Sequence, residues 1–125
     1  MRKEDWPEII ASEIAAADKP FVWGEWDCCL FAAHVIYAVT GEDFAKEFRG
    51  YTTQIGAAKL LKQYGGVNGI ASKFLPEILV PFAGRGDVVE IDGALGICLG
   101  QWSMFLTETG LIKKLTLDCV RAWSI

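Results

Sequence analysis

The sequence has little that would suit it to nucleic acid or to a membrane. It contains no run of basic residues, and its formal net charge is −4. Phosphate binding depends on clustered lysine and arginine, so this composition argues against nucleic acid as a main partner. The apolar stretch at residues 30–39 covers only about half of the ~20 residues that a membrane-spanning helix requires. We therefore expect neither a nucleic-acid partner nor a membrane partner.

Metal ligands and disulfide frameworks are also scarce. The chain has one histidine and four cysteines, and the adjacent Cys28 and Cys29 lack the spacing of cysteine pairs that bind zinc. The sequence predicts free thiols that are mostly buried, with no metal and no cofactor. The N-terminus lacks the basic-then-apolar layout of a signal peptide. We expect synthesis and retention in the cytoplasm, unless a larger assembly carries the protein out.

Length and composition predict a single domain over residues 1–125. A second independent core would leave each half of a 125-residue chain only marginally stable. Hydrophobic residues make up 52% of the sequence, and five residues are tryptophans. Tryptophan rings fill cores and also anchor interfaces, so the composition leaves both uses open.

A strongly apolar helix between Asp27 and Gly41 is the segment around which the chain is organised. Asp27 is a typical N-cap residue, and Gly41 is typical of the left-handed residue that ends a helix. Because nearly every residue between them is apolar, we expect the helix to be buried on most of its circumference. Cys28 then lies at the positive end of the helix dipole, beside Trp23 and Trp26, where unpaired amides lower a cysteine pKa.

Helical patterns fill the first part of the chain, and strand patterns fill the rest. Helices are predicted at residues 5–18, 28–40, 43–48, 53–64 and 67–74. Strands are predicted at residues 87–91, 94–99, 102–107, 111–115 and 119–125, with Asp92-Gly93 as a tight hairpin turn. Helices followed by strands predict an α+β fold.

Three segments together carry a resemblance to a known superfamily. They are Trp23-Gly24 followed by Asp27-Cys28 at the start of the apolar helix, then Arg85-Gly86-Asp87-Val88-Val89, and then Leu95-Gly96-Ile97-Cys98-Leu99-Gly100. Their order and spacing resemble NlpC-type cell-wall cysteine peptidases, and more closely a small branch of that superfamily found among bacteriophage tail genes. The resemblance implies a reduced papain-like fold, in which N-terminal helices pack on a small C-terminal antiparallel sheet. It also implies that Cys28 is equivalent to the nucleophile.

Four tryptophans are candidates to line a peptide or glycan groove in such a fold. They are Trp23, Trp26, Trp102 and Trp123. Packing in a core is the alternative use of these rings.

The base that a thiol peptidase needs is missing from its expected place. In the resembled family this base is a histidine that opens the strand before the Gly-Ile-x-x-Gly run, and that position is Ala94 here. The only histidine, His34, lies six residues after Cys28 on the same predicted helix, so it points roughly 240° away. We expect it to be a histidine of the core or of a groove. Asp87 and Glu90 are poor substitutes because an ordinary carboxylate is too weak a base for a thiol, and a base from a neighbouring subunit stays open.

Two more positions depart from the family pattern. Phe21 stands where a tyrosine is common, so its hydroxyl group is absent. The third polar group, which orients the base, falls on Leu106 or Thr107. The sequence therefore retains the scaffold of the nucleophile without the groups that activate it.

Together with the missing base, the resemblance implies a structural or interaction component of a bacteriophage tail, or of a phage-derived particle, at the tail tip. The resemblance implies other tail proteins as partners, a ring-like oligomer, and a place in the virion after synthesis in the host bacterial cytoplasm. The first alternative is an active thiol peptidase that uses Cys28 to cleave peptide bonds of bacterial peptidoglycan during genome entry. The second is a tail assembly factor that is absent from the finished particle.

Overall fold

Helices occupy the N-terminal part of the chain and one antiparallel sheet occupies the C-terminal part. The computed structural model describes residues 1–125. The helices are α1 (Trp6–Ala16), α2 (Cys28–Thr40), α3 (Gln54–Tyr64) and α4 (Val67–Phe74). The strands are β1 (Glu77–Ile78), β2 (Val88–Ile91), β3 (Ala94–Cys98), β4 (Trp102–Thr107), β5 (Gly110–Leu115) and β6 (Arg121–Trp123). The sheet order is β1-β6-β2-β3-β4-β5, and the predicted α+β class is confirmed.

The central helix α2 begins and ends at the residues that its caps predict. The Leu30 N–H donates a 3.0 Å hydrogen bond to Asp27 Oδ1 at the start of the helix. At the other end Gly41 has φ 82°, and its N–H donates to the Tyr37 carbonyl. Only His34 and Tyr37 of this helix are exposed. The expected burial of most of its circumference is therefore confirmed.

The remaining helices begin and end close to the limits that their cap residues predict. Thr53 Oγ1 accepts from the Gly56 N–H to start α3, and Gly65 (φ 85°) ends it. The helix predicted near residues 43–48 is one 3₁₀ turn at Phe44–Glu47, capped by Asp43. None of the helices combines the length and the apolar character needed to cross a membrane.

The edges of the sheet differ from the prediction. The strand β1 was not predicted because its two residues are too few to show a pattern; it forms by pairing with β6. The strand predicted at 119–125 is reduced to β6, because Thr116–Asp118 form a 3₁₀ turn before it. These strand ends depend on pairing between distant segments, which local patterns do not record.

The sheet separates two apolar clusters. The larger one, of 20 buried residues, lies between the helices and the inner face of the sheet. The smaller one lies on the outer face and consists of Val89, Cys98, Phe105, Cys119 and Ala122. Because alternate strand residues point to opposite faces, each residue of β2 and β3 is assigned to the α2 side or to the outer side.

Candidate functional site

The loop before α2 contains a tight turn at residues 22–26. This turn packs against a second loop, the one that contains Tyr51. The Trp26 N–H donates to the Val22 carbonyl at 2.8 Å, and the Val22 N–H donates to the Trp26 carbonyl at 3.0 Å. Gly24 has φ 82° inside this turn. A Cβ atom on Gly24 would lie 1.9 Å from the Tyr51 carbonyl oxygen. The backbone of residue 24 can approach this second loop only because it is glycine.

The Asp27 carboxylate joins three segments at the start of α2. The side chain is 1% exposed. Its Oδ1 accepts from the Leu30 N–H, and its Oδ2 accepts from the Gly24 N–H at 3.0 Å and from the Tyr51 hydroxyl. None of the ion pairs in the structure includes Asp27. The hydrogen bonds of Asp27 therefore hold the loop before α2 and the loop that contains Tyr51 against the start of α2.

The thiol of Cys28 is the more acidic of two adjacent thiols. The Cys29 thiol lowers the pKa of Cys28 by hydrogen bonding to its sulfur, and the backbone of Leu95 in β3 also lowers it. Burial and the negative charge of Asp27 oppose this shift. The same bond to Cys28, together with burial, raises the pKa of Cys29 well above its ordinary value. All four cysteines have free thiols.

No histidine faces Cys28 from the sheet. Ala94, the position that corresponds to the family's histidine, packs with Ile91 against the outer cluster. Its side chain therefore points away from α2. The next residue, Leu95, points toward α2 and packs in the larger cluster. Both positions are apolar, so neither offers a proton acceptor to the sulfur.

His34 lies at the surface, and the expectation of a core or groove histidine is wrong. Its side chain is 46% exposed, and its Nε2 lies 2.7 Å from Glu13 Oε2. Its ring also contacts the Trp26 ring edge-on, with 5.4 Å between the centroids. The six-residue spacing from Cys28 places His34 on the exposed strip of α2 beside α1, where Glu13 reaches it.

The carboxylate Asp87 is occupied elsewhere. Its Oδ1 lies 2.7 Å from Arg2 Nη2 in an ion pair, and its Oδ2 accepts from the Gly84 N–H at 2.9 Å. Oδ1 also accepts from the Ile125 N–H at 3.4 Å. Asp87 therefore ties both ends of the chain to the start of β2 and cannot serve the thiol.

Glu90 lies on the same face of the sheet as Leu95, its cross-strand neighbour. Its Oε1 is buried and has no hydrogen-bond partner. Burial raises the pKa of Glu90, while the positive charge of Arg121 opposes the shift. No hydrogen bond joins this carboxyl group to Cys28. The pKa shift is nevertheless testable as a dependence of stability on pH.

We expect Glu90→Gln to stabilise the protein relative to wild type as the pH rises. A carboxyl group with a raised pKa binds more protons in the folded state than in the unfolded state, so wild-type stability falls as pH rises through the interval above the ordinary value of 4.5. Glutamine does not titrate. Thermal melts between pH 4 and pH 7 should show a Tm difference that grows with pH. Glu108→Gln, in the exposed turn after β4, controls for the loss of one charge. A constant Tm difference would contradict the assignment.

The space around Cys28 is too small for a peptide. A cavity of about 20 Å³ is lined by Cys28, Asp27, Trp23 and Tyr51, together with apolar residues of α3 and α4. That volume holds about one water molecule. The larger concavities, of about 460 Å³ and about 610 Å³, include neither Cys28 nor Cys29. Neither of these larger concavities therefore opens onto Cys28, which is half-buried.

The four candidate tryptophans do not line a common groove. Trp23 lines the small cavity beside Cys28. Trp26 packs between α1 and α2, where its Nε1 donates to the Ala17 carbonyl at 3.0 Å. Trp102 lies on β4, where it is 40% exposed and lies under the ammonium group of Lys113. Trp123 lies on β6, where it is fully buried in the larger cluster and its Nε1 donates to the Ser72 hydroxyl oxygen at 3.0 Å.

The other two family positions carry no activating group. The side chain of Leu106 is buried in the larger cluster. The Thr107 hydroxyl donates to the Gly110 carbonyl at 2.7 Å and so belongs to the turn between β4 and β5. Phe21 packs edge-on against Trp23.

Tyr51 is the residue of this site that sequence reasoning missed. Its hydroxyl donates to Asp27, and burial, followed by this bond, raises the pKa of Tyr51 well above its ordinary value. The group is therefore a neutral donor. Tyr51 lies in a loop far from Asp27 in sequence, so no local spacing connects the two residues.

The family comparison covers the whole chain and thus every part of this site. Residues 1–125 match the family model described as "Domain of unknown function (DUF6950)". A comparison with curated proteins found no match. Because the match spans the loop before α2, the helix itself and the complete sheet, the chain belongs to the DUF6950 family.

Proposed function

We propose that the protein is a non-catalytic structural component of a bacteriophage tail or of a phage-derived particle, built on an NlpC-like scaffold. The observation that supports the absence of catalysis is that the only histidine, His34, is paired with Glu13 and that no carboxylate is hydrogen-bonded to Cys28. The tail assignment comes from the resemblance of the nucleophile segment and of the β2 and β3 segments to tail-associated relatives of NlpC peptidases.

Three features of the site argue against thiol chemistry. The sheet places apolar Leu95 beside the sulfur. The one nearby carboxylate, Asp27, already accepts three hydrogen bonds, and its negative charge disfavours the thiolate. The cavity of about 20 Å³ leaves no room for a scissile peptide. The segment that would carry catalysis instead holds the loop before α2 in place.

An active thiol peptidase is the second candidate. The lowered pKa of Cys28 favours it, since the thiolate is the nucleophilic form. This candidate requires a base from a neighbouring subunit and an opening of the site. A tail assembly factor is the third candidate. It differs from the first only in being absent from the finished particle.

Digestion of purified peptidoglycan separates the first two candidates. We expect wild type and Cys28→Ala to release no new amino groups above a buffer blank, because the sulfur has no base. Cys119→Ala, which removes a buried thiol from the outer face, is the matched control, and circular dichroism verifies folding of all three proteins. Release of amines by wild type and by Cys119→Ala, but not by Cys28→Ala, would establish the peptidase instead.

The composition of purified particles separates the first and third candidates. A structural component is present in a fixed ratio to the other tail proteins in mature particles. Its presence only in unfinished tails would identify an assembly factor.

A further inference from the structure

The strand β5 forms an open edge of the sheet. It pairs with β4 along all six of its residues and has no strand on its other side. The opposite edge is β1, which has only two residues. A long edge strand with free backbone groups can accept an additional strand. Of the two edges, only β5 is long enough for such an addition.

The register shows which backbone groups of β5 are free. Thr107 pairs with Gly110 across the turn, and the Thr116 N–H donates to the Gln101 carbonyl at 2.8 Å. In an antiparallel ladder, bonded pairs alternate along the strand. Ile112 and Lys114 therefore bond to β4. The N–H and C=O groups of Leu111, Lys113 and Leu115 point outward.

The side chains along this edge are apolar and basic. Ile112 and Leu115 are each 37% exposed, and Lys113 and Lys114 are exposed on opposite faces of the strand. The Lys113 ammonium lies 4.8 Å from the centroid of the Trp102 ring. The strand has no acidic residue, although the whole chain has a net charge of −4. The edge is thus locally positive on both faces.

This charge distinguishes between possible occupants. Pairing with β5 of a second copy would bring the lysines of the two chains together, and like charges on adjoining strands are destabilising. An extended segment of alternating acidic and apolar residues would place its carboxylates on the face of Lys113 and its apolar side chains on the face of Ile112. We propose that β5 binds an extended segment of alternating acidic and apolar residues from a different protein, which joins the sheet as a seventh strand. Only the expectation that this partner is a tail protein rests on the proposed function.

A synthetic peptide tests the geometry directly. The probe is a capped seven-residue peptide of alternating valine and glutamate, and its matched control has lysine in place of glutamate. On addition of the glutamate peptide to the full-length protein, we expect hydrogen exchange of the outward amides of Leu111, Lys113 and Leu115 to slow by about tenfold or more. Equal binding of the lysine peptide, or no added protection at these amides, would overturn the proposal.

Two variants separate the backbone contribution from the charge. Lys113→Pro removes an outward N–H and leaves the bonds to β4 intact, since edge strands tolerate proline at such positions. Lys113→Thr removes the charge but keeps the N–H. We expect the Kd for the glutamate peptide to rise about tenfold for the proline variant and about threefold for the threonine variant. If the proline variant fails to fold, Lys113→Thr still tests the proposal. An unchanged Kd of this variant for the glutamate peptide would contradict the role of the Lys113 charge.

Two further outcomes concern the occupant and the proposed function. Concentration-dependent dimerisation without peptide, with protection of the same amides, would identify a second copy as the occupant and overturn the proposal. Particles that contain the protein with β5 amides exchanging as fast as in the free protein would overturn it and leave the tail function intact. Conversely, absence from particles would refute the tail function, while peptide binding would still support the strand addition.

Discussion

Gly24→Ala is expected to lower the free energy of unfolding by roughly 3 kcal/mol. A left-handed backbone costs a residue with a Cβ atom about 1 to 2 kcal/mol, and an overpacked contact costs about as much again. Gly24 has φ 82°. The new Cβ atom would lie 1.9 Å from the Tyr51 carbonyl oxygen. Because this neighbour is backbone, one of the two loops must move. Chemical denaturation with a constant m value measures the loss.

Gly41→Ala is a closely matched control for this prediction. Gly41 has the same φ of 82° at the end of α2, but a Cβ atom there has no heavy atom within 4 Å. Gly41→Ala should therefore lower the free energy of unfolding only by the cost of the left-handed backbone, about 1 kcal/mol. Equal losses in the two variants would show that contact with Tyr51 does not constrain the loop before α2.

Asp27→Ala is expected to lower the free energy of unfolding by roughly 4 kcal/mol. Loss of an N-cap side chain costs about 1 kcal/mol, and each buried donor left without an acceptor costs about 1 to 3 kcal/mol. The N-cap bond is the one from the Leu30 N–H, and two further donors lose their acceptor, namely the Gly24 N–H and the Tyr51 hydroxyl. Water that enters the small cavity would offset part of this cost. Urea denaturation is the appropriate measurement.

Asp43→Ala and Asp27→Asn are the informative comparisons. Asp43 caps a single 3₁₀ turn through the Ala45 N–H, and its ion pair with Arg49 is largely exposed. Its replacement should cost about 1 kcal/mol. Asp27→Asn keeps one acceptor oxygen, and we expect an intermediate loss. If Asp27→Ala loses no more than Asp43→Ala, the carboxylate does not organise the site.

Together these two predictions assign a structural role to the segment that the resemblance connects with catalysis. Gly24 allows the close approach of the loops, and Asp27 fixes both of them to the start of α2. A peptidase would need the same segment to present a thiolate beside a base in an open groove. In this protein the sulfur of Cys28 lies between a hydrogen-bonded carboxylate and an apolar strand. The hydrogen bonds of this segment therefore have a structural role whether or not the thiol reacts.

Local signals in the sequence were sufficient for the helices and for the class of the fold. Asp27 and Gly41 set the limits of α2, and Thr53 and Gly65 set those of α3, because cap residues act on backbone groups of adjacent turns. The hairpin at Asp92-Gly93 was likewise predicted, since its turn requires positive φ at both residues, as observed. The assignment of Ala94 to the position of a base, by contrast, came from the resemblance and not from local signals.

The tertiary structure decided the features that depend on contacts between distant segments. It brought the Tyr51 hydroxyl to Asp27 and turned Ala94 to the outer face of the sheet. It also placed His34 beside Glu13 at the surface. Periodicity records which side of an element is apolar but not which segment covers that side or how deep it lies. The sequence by itself therefore determined the α+β class, the limits of α2 and α3 and the hairpin turn, whereas packing determined the short strands β1 and β6, the groups that surround Cys28 and the edge of the sheet that remains open.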